Sequence, residues 1–91
     1  MDINVKIYKN MEFKEIEIVI GAGFFRSYKV IASYHNYFDD HEDIMKKISS
    51  FPPHKGDVIH VINKNTHKEE ILSVAYCSID YINNKLTIWC K

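Results

Sequence analysis

Apolar and polar residues alternate along most of this chain, and that alternation predicts β-strands. Apolar residues occupy every second position of residues 3–7, so we expect a half-buried strand near the start. A second strand is expected at residues 15–20, where isoleucines alternate with glutamates. Residues 24–33 are rich in aromatic and β-branched types, which predicts a third strand after a glycine turn at Gly21-Ala22-Gly23.

One segment has helical rather than strand periodicity. Its apolar residues form a single stripe at helical spacing, namely Ile44, Met45, Ile48 and Phe51. Asp39 or Asp40 is expected to cap the N-terminus, with Glu42 in capping-box register after Asp39. Pro52 stops the helix and restricts the residue before it, which leaves about three helical turns.

Strand patterns return after the prolines and continue to the C-terminus. Three further strands are expected, at residues 58–62, 70–82 and 85–91. They are separated by a polar loop at residues 63–68 and by a two-residue turn at Asn83-Asn84. In the run at 70–82, both the odd-numbered and the even-numbered positions are largely apolar, so both faces of the strand would be apolar. This pattern predicts either a central strand or a strand bent at a bulge.

The predicted element order is βββ-α-βββ in a single domain that spans residues 1–91. Most connections are tight hairpins, so we expect an α+β fold with a mainly antiparallel sheet of about six strands. The sheet would be strongly twisted, or closed as a small barrel with the one short helix plugging one end. An open sheet with the helix packed across one face is the alternative.

Residues 51–91 carry a proline, a Gly-Asp turn, a strand, a variable loop, a long strand and a final hairpin, in that order. The residues concerned are Pro53, Gly56-Asp57, Val58-Ile59-His60-Val61, Ile71-Leu72-Ser73-Val74-Ala75-Tyr76 and Leu86-Thr87-Ile88-Trp89. This order resembles small SH3-like β-barrel proteins of phages and mobile elements. The resemblance implies a non-enzymatic binding or assembly module, and it supplies no functional residues.

Charge and composition narrow the classes of function. The 12 basic side chains balance the 12 acidic ones, which argues against a general nucleic-acid binder and against a whole-surface DNA mimic. No apolar run is long enough to span a bilayer, and no signal-peptide pattern is visible. Two cysteines are too few for a disulfide framework. We therefore expect a protein of the cytoplasm of a bacterial host, with no membrane partner.

The sequence lacks the spacings that catalysis and cofactor binding require. Gly21-Ala22-Gly23 is followed by Arg26 where a dinucleotide motif needs its third glycine. The potential metal ligands have no metal-site spacing: His35, His41, His54, His60, His67, Cys77 and Cys90. Both cysteines lie in apolar strands and are expected to be small buried hydrophobes. We predict no enzyme activity, no cofactor and no metal.

Residues 34–43 form the first candidate binding surface, because they concentrate aromatics and carboxylates between two elements. The candidate contact residues are Tyr34, Tyr37, Asp39, Asp40, Glu42 and Asp43. In the simpler interpretation, this segment is a capped helix start whose aromatics complete the core.

The third predicted strand contains the second candidate surface, which combines aromatic and basic residues: Phe24, Arg26, Tyr28 and Lys29. Exposed together, they would stack on bases and contact phosphates of single-stranded nucleic acid. In the simpler interpretation, the aromatics face the core and the cations are solvated.

The preferred hypothesis is a small module that binds another protein through residues 34–43, as an inhibitor or an assembly factor. Single-stranded nucleic-acid binding through residues 24–29 is the alternative. Edge strands at either terminus of the chain could also pair between copies, which would give a homo-oligomer.

Overall fold

The computed structural model of the protein describes residues 13–21 and 28–91. Within these ranges the elements are β1 (Glu15–Ile20), β2 (Lys29–His35), a 3₁₀ turn (Asp39–His41), α1 (Glu42–Ser50), β3 (Val58–Ile62), β4 (Glu69–Asp80) and β5 (Lys85–Cys90). The α+β class is confirmed, and the described ranges contain five strands where about six were predicted for the chain. The predicted strand at residues 3–7 and the start of the predicted strand at 24–33 lie outside the described residues, and β2 continues past Ser33 to His35.

The five strands form one mixed sheet in the order β2-β1-β5-β4-β3. Three of the four pairings in the described chain are antiparallel, as expected, but β1 and β5 pair in parallel, with Ile18 opposite Ile88. Most neighbouring strands are consecutive in the chain, as expected, but the central pair of β1 and β5 is not. The segment that contains α1 carries the chain across to the far edge of the sheet. Parallel neighbours cannot be joined by a tight hairpin and need a long connection between them. Here the chain from β2 through α1 to β4 provides that connection between β1 and β5.

The sheet is curled into a half-barrel, and its two edge strands meet at one end. There the backbone N–H of Lys64, just after β3, donates to the carbonyl of Ile31 on β2 over 2.7 Å. The side chain of Asn65 donates to the carbonyl of Val30, and the ammonium of Lys64 lies 3.4 Å from the hydroxyl of Ser33. These contacts close the curl at this end.

A β-bulge bends β4 at Ala75. Val74 lies opposite Cys90 and Tyr76 opposite Trp89, so Ala75 is the extra residue. Before the bulge, the even-numbered residues Leu72 and Val74 face the core. After it, the odd-numbered Cys77 faces the core. Of the two predictions for this run, the bent strand is confirmed.

The core consists mainly of the inner faces of β1 and β5. Ile16, Ile18, Leu86, Ile88 and Cys90 are essentially inaccessible to solvent. Their alternation with polar or half-buried neighbours is the pattern seen in the sequence, because successive side chains of a strand point to opposite faces. The residue most buried on α1 is Met45, which joins the same core.

The start of α1 differs from the prediction. His41 occupies the N-cap position and makes no side-chain capping hydrogen bond. Asp39 and Asp40 belong to the preceding 3₁₀ turn, so the predicted carboxylate cap and capping box are wrong. The turn moves the helix start beyond both aspartates, and Nδ1 of His41 instead accepts a hydrogen bond from the backbone N–H of His35 over 3.0 Å.

The apolar stripe of α1 is shorter than predicted. Ile44 and Ile48 are half-buried beside Met45, but the side chain of Phe51 is 84% exposed. Phe51 precedes Pro52 and adopts non-helical backbone angles, φ −134° and ψ 72°. The proline excludes the helical conformation at this position, so the side chain turns away from the core.

The last hairpin has a longer turn than predicted. Residues 81–84 form the loop, rather than Asn83-Asn84 alone. Both carboxylate oxygens of Asp80 accept hydrogen bonds, from the backbone of Ile82 and Asn83 and from the side chain of Asn83. The side-chain bond from Asn83, with the backbone donors, lowers the pKa of Asp80 below its usual value. Asn84 adopts the expected left-handed conformation at φ 53°.

Lys85 joins β5 to β1 through ion pairs with Glu15 and Glu17. Replacing Lys85 with methionine is expected to lower the free energy of unfolding at neutral pH by about 1 kcal/mol, since Glu17 is mostly buried and would lose its partner. The hydrogen bond to Glu17, more than the nearby charges, raises the pKa of Lys85 above 10.5. Its stabilisation is therefore complete below that pH and is lost as the pH rises through the raised pKa.

Urea denaturation at neutral pH and at about pH 11 measures this effect. The difference in the free energy of unfolding between the Lys85→Met variant and the unaltered protein should shrink at the higher pH. Lys47→Met is the matched control, because both side chains of the Lys47–Asp43 ion pair are exposed. Such a pair stabilises the fold by about 0.3–0.5 kcal/mol. Equal losses of unfolding free energy in the two variants would show that the β1–β5 ion pair stabilises the fold no more than an exposed pair does.

Candidate functional site

A groove of about 920 Å³ lies between the two edge strands of the half-barrel. Ala32, Ser33 and Tyr34 of β2 form one wall, and β3 forms the other. The 3₁₀ turn and the beginning of α1 border one end of the groove. The loop after β3 closes the opposite end, where Lys64 bonds to Ile31. Among the described residues, the groove is therefore closed at the Lys64 end and bordered by the 3₁₀ turn and α1 at the other end.

The edge of β2 directs backbone groups into the groove. The carbonyl of Ile31 faces that way, because it accepts from Lys64, and the N–H of His35 does so because it donates to His41. Backbone direction repeats every second residue in a strand, so the N–H and carbonyl of Ser33 also face the groove. No strand of the described chain pairs with this edge of β2.

The edge of β3 does the same from the other side. The N–H of Asn63 donates to Lys68 across the β3–β4 hairpin, so the odd-numbered residues of β3 face β4. The backbone groups of His60 and Ile62 therefore point away from β4, toward the groove. Strand edges of this kind can accept a further extended segment.

Five rings contact one another near the α1 end of the groove, and we call them the aromatic cluster: Tyr34, His35, Tyr37, Phe38 and His41. Tyr34 and His41 line the groove itself. Tyr34 meets His41 edge-on at 5.4 Å, and Tyr37 lies 4.5 Å from Phe38. Tyr37 is 70% exposed and Phe38 45%. The prediction had selected Tyr34 and Tyr37 but missed Phe38 and His41. Their spacing of three residues, which brings their rings to 5.2 Å, was the available signal.

The predicted carboxylates occupy different surroundings. Asp40 borders the groove. Glu42 and Asp43 lie on α1, where they pair with Lys46 at 2.9 Å and Lys47 at 3.1 Å. These exposed pairs offset the negative charge of the segment. Asp39 lies in the 3₁₀ turn.

Polar side chains also line the groove. His41, His60 and His67 border it, and Nδ1 of His60 lies 3.3 Å from a carboxylate oxygen of Glu69. Burial raises the pKa of Tyr34, so its phenol stays protonated at neutral pH. In the described part of the chain no group of three or more His, Cys, Asp or Glu is placed to hold a metal ion. The groove suits hydrogen bonding and ring contacts with a bound molecule.

Both cysteines are shielded thiols. Cys90 is fully buried, as predicted, and burial raises its pKa to about 11. Cys77 is half-buried and its thiol donates to the carbonyl of Pro53 over 3.2 Å. Burial, with a smaller contribution from the charge of Asp57, raises the pKa of Cys77. Because the thiolate is the nucleophile, neither sulfur is activated at neutral pH.

The second predicted surface is described only in part. Phe24 and Arg26 lie outside the described residues. Tyr28 and Lys29 are exposed at the beginning of β2, and the ring of Tyr28 contacts Trp89 of β5. Sequence reasoning had not connected Trp89 with this surface, because that contact joins strands distant in the chain.

No model of a known protein family matches the chain, and no characterised protein or solved structure shows significant similarity to it. In the described ranges, no helix has both the length and the apolar character needed to cross a membrane.

Proposed function

We propose that the protein is a small non-enzymatic binding module that holds an extended segment of another protein in the groove between β2 and β3. The observation that carries this proposal is the pair of strand edges whose backbone groups face one groove. Binding of this kind would let the module act as an inhibitor or as an assembly factor.

In this proposal the bound segment adds to the edge of β3. The N–H and carbonyl of His60 pair with its backbone, which provides affinity without regard to sequence. Alternate side chains of the segment then point into the groove, toward Tyr34 and Val61, and provide selectivity. Because Lys64 and Ile31 close one end, the segment enters from the α1 end.

The aromatic cluster supports the same arrangement. Tyr37 and Phe38 are large, exposed and held against neighbouring rings, so contact with a partner immobilises little additional side-chain freedom. Their place beside the entrance suits them to the first contact with an incoming segment. The predicted surface at residues 34–43 thus becomes one border of the binding groove.

Panning a library of random peptides on the protein tests the proposal. We expect enrichment of peptides in which β-forming residues alternate with polar ones. Replacing His60 with proline removes the backbone N–H that the peptide needs, and an edge strand can tolerate that change. The affinity of the selected peptides should fall by about tenfold or more in this variant. One backbone hydrogen bond is lost, and the proline ring keeps the peptide backbone away from β3.

Lys55→Pro is the matched control. Lys55 occupies the second position of a turn in which Asp57 donates to His54 and Gly56 has φ 92°, a geometry that favours proline at Lys55. This variant should bind the peptides as the unaltered protein does. The proposal is wrong if panning enriches no peptide, or if the selected peptides bind the folded His60→Pro variant equally well.

A further inference from the structure

Three aromatic side chains form a row on the face of the sheet opposite the core, and we call them the aromatic row: Tyr28, Trp89 and Tyr76. Trp89 stacks on Tyr76 with 5.6 Å between ring centroids and 17° between ring planes. Tyr28 meets Trp89 edge-on, also at 5.6 Å. Tyr28 is 57% exposed and Tyr76 49%. The row therefore presents ring surface to solvent.

The bulge in β4 places Tyr76 in this row. Trp89 faces outward because Ile88 and Cys90, its neighbours in β5, are buried. In a regular strand Tyr76 would share the inward parity of Val74, but the extra residue at Ala75 turns it outward and opposite Trp89. The indole N–H of Trp89 donates to the hydroxyl of Ser78 over 3.1 Å, which fixes the orientation of the central ring.

Two exposed lysines lie at the same end of the sheet as the aromatic row. Lys29 follows Tyr28 and is paired across the sheet with Ile20, which is paired in turn with Cys90, the neighbour of Trp89. Lys91 follows Cys90, and both lysines are exposed.

A third exposed lysine, Lys55, lies one residue before Gly56. The N–H of Gly56 donates to Val74, which is paired with Cys90. The three lysines therefore lie at, or one residue from, one line of paired residues at this end of the sheet. Lys29 has the core-facing parity of Ile20 and Cys90, but its side chain is exposed because it stands at the end of the sheet. No salt bridge joins any of them to a carboxylate of the described residues, in contrast to Lys85.

We propose that the aromatic row binds single-stranded nucleic acid. Unpaired bases stack on the open ring surfaces of Tyr28 and Tyr76, and the phosphates lie near Lys29, Lys55 and Lys91. Exposed rings beside unpaired cations are the combination by which proteins hold single strands. Bases of a duplex are already stacked on each other, so this surface selects unpaired ones.

This site differs in position and partner from the groove between β2 and β3. Overall neutrality does not oppose it, because the ion pairs of Lys85, Lys46 and Lys47 lie elsewhere while the three lysines gather at one end. Phosphate attraction is local, since charges farther away than about 10 Å are screened at ordinary salt. The site needs neither Phe24 nor Arg26.

Intrinsic fluorescence offers a direct test, because Trp89 is the only tryptophan of the chain. Titration with a thymidine oligomer of about 12 nucleotides, a length that one small barrel can cover, should quench its emission. Binding should weaken with salt. Three phosphate contacts predict a slope of about −2 in a plot of the logarithm of the association constant against that of the salt concentration.

Variants followed by the anisotropy of a labelled oligomer separate rings from charges. Tyr76→Ala should weaken binding roughly 5- to 150-fold, the range for loss of one stacked base. Lys91→Ala should make the salt slope shallower by about 0.7. Tyr81→Ala and Lys68→Ala are the matched controls, since both residues are exposed in loops away from the row, and both variants should bind normally.

Three results would overturn the assignment. One is the absence of saturable binding at about 20 mM salt, where phosphate attraction is strongest. Another is an equal loss of affinity in Tyr81→Ala and Tyr76→Ala. The third is quenching by a neutral oligosaccharide with no response to the oligomer, which would identify a sugar site instead.

Discussion

Replacing Ile88 with alanine is expected to lower the free energy of unfolding by about 2–5 kcal/mol. Ile88 is 1% exposed at the centre of β5, with Ile18 paired on one side and Cys77 on the other. Strands on both sides hold the backbone in place, so the cavity left by the missing atoms cannot collapse. A domain of this size has roughly 5–15 kcal/mol of stability in total, so the loss should be large in urea or thermal denaturation.

Ile82→Ala is the matched control for this prediction. Ile82 is the same residue type in the adjoining hairpin loop, but it is 94% exposed. Its replacement should change the free energy of unfolding by no more than about 0.5 kcal/mol. Comparable losses in the two variants would contradict the packing of β5 at the centre of the sheet.

Replacing Asn63 with alanine is expected to cost about 2–4 kcal/mol of stability. The side chain is 9% exposed, and its oxygen accepts the N–H groups of Asn65 at 2.8 Å and Thr66 at 3.3 Å. Its NH₂ donates to a carboxylate oxygen of Glu70 at 2.7 Å. Alanine leaves these groups without their partner and loosens the loop that joins the sheet edges.

Asn63→Asp separates the two halves of that network. The aspartate keeps an acceptor for the loop N–H groups, but its negative charge lies next to that of Glu70. This repulsion raises the pKa of the carboxyl pair in the folded variant. Stability should therefore recover as the pH falls from 7 toward about 4.5, whereas the alanine variant should show no comparable recovery. Asn36→Ala, at an exposed asparagine, should be nearly neutral. A loss there equal to that of Asn63→Ala would mean that the Asn63 side-chain bonds contribute little.

Elements that depend on neighbouring residues were predictable from the sequence. The limits of β3 at Val58–Ile62 and the polar loop after it are confirmed, because turn residues bound a short apolar run. The alternation along β5 is confirmed for the same reason. The bend of β4 was one of the two alternatives predicted for a strand that is apolar on both faces.

Features that depend on distant partners were not predictable. Nothing local indicates that β1 pairs in parallel with β5, or that Lys64 reaches Ile31. The groove has one wall from β2 and the other from β3, so sequence reasoning found only its border at residues 34–43. The aromatic row escaped notice because the parity of Tyr76 depends on the position of the bulge. The resemblance to small SH3-like barrels stays a prediction.

The bulge at Ala75 also affects how the chain can change in length. Loss of Ala75 would make β4 a regular strand, because Tyr76 would then follow Val74 directly and stay opposite Trp89, with Cys77 still opposite Ile88. A deletion in the loop after Asp80 would also leave that assignment of faces intact. β4 can therefore lose its bulge residue without a change in its pairing with β5 or in the faces of the residues that follow.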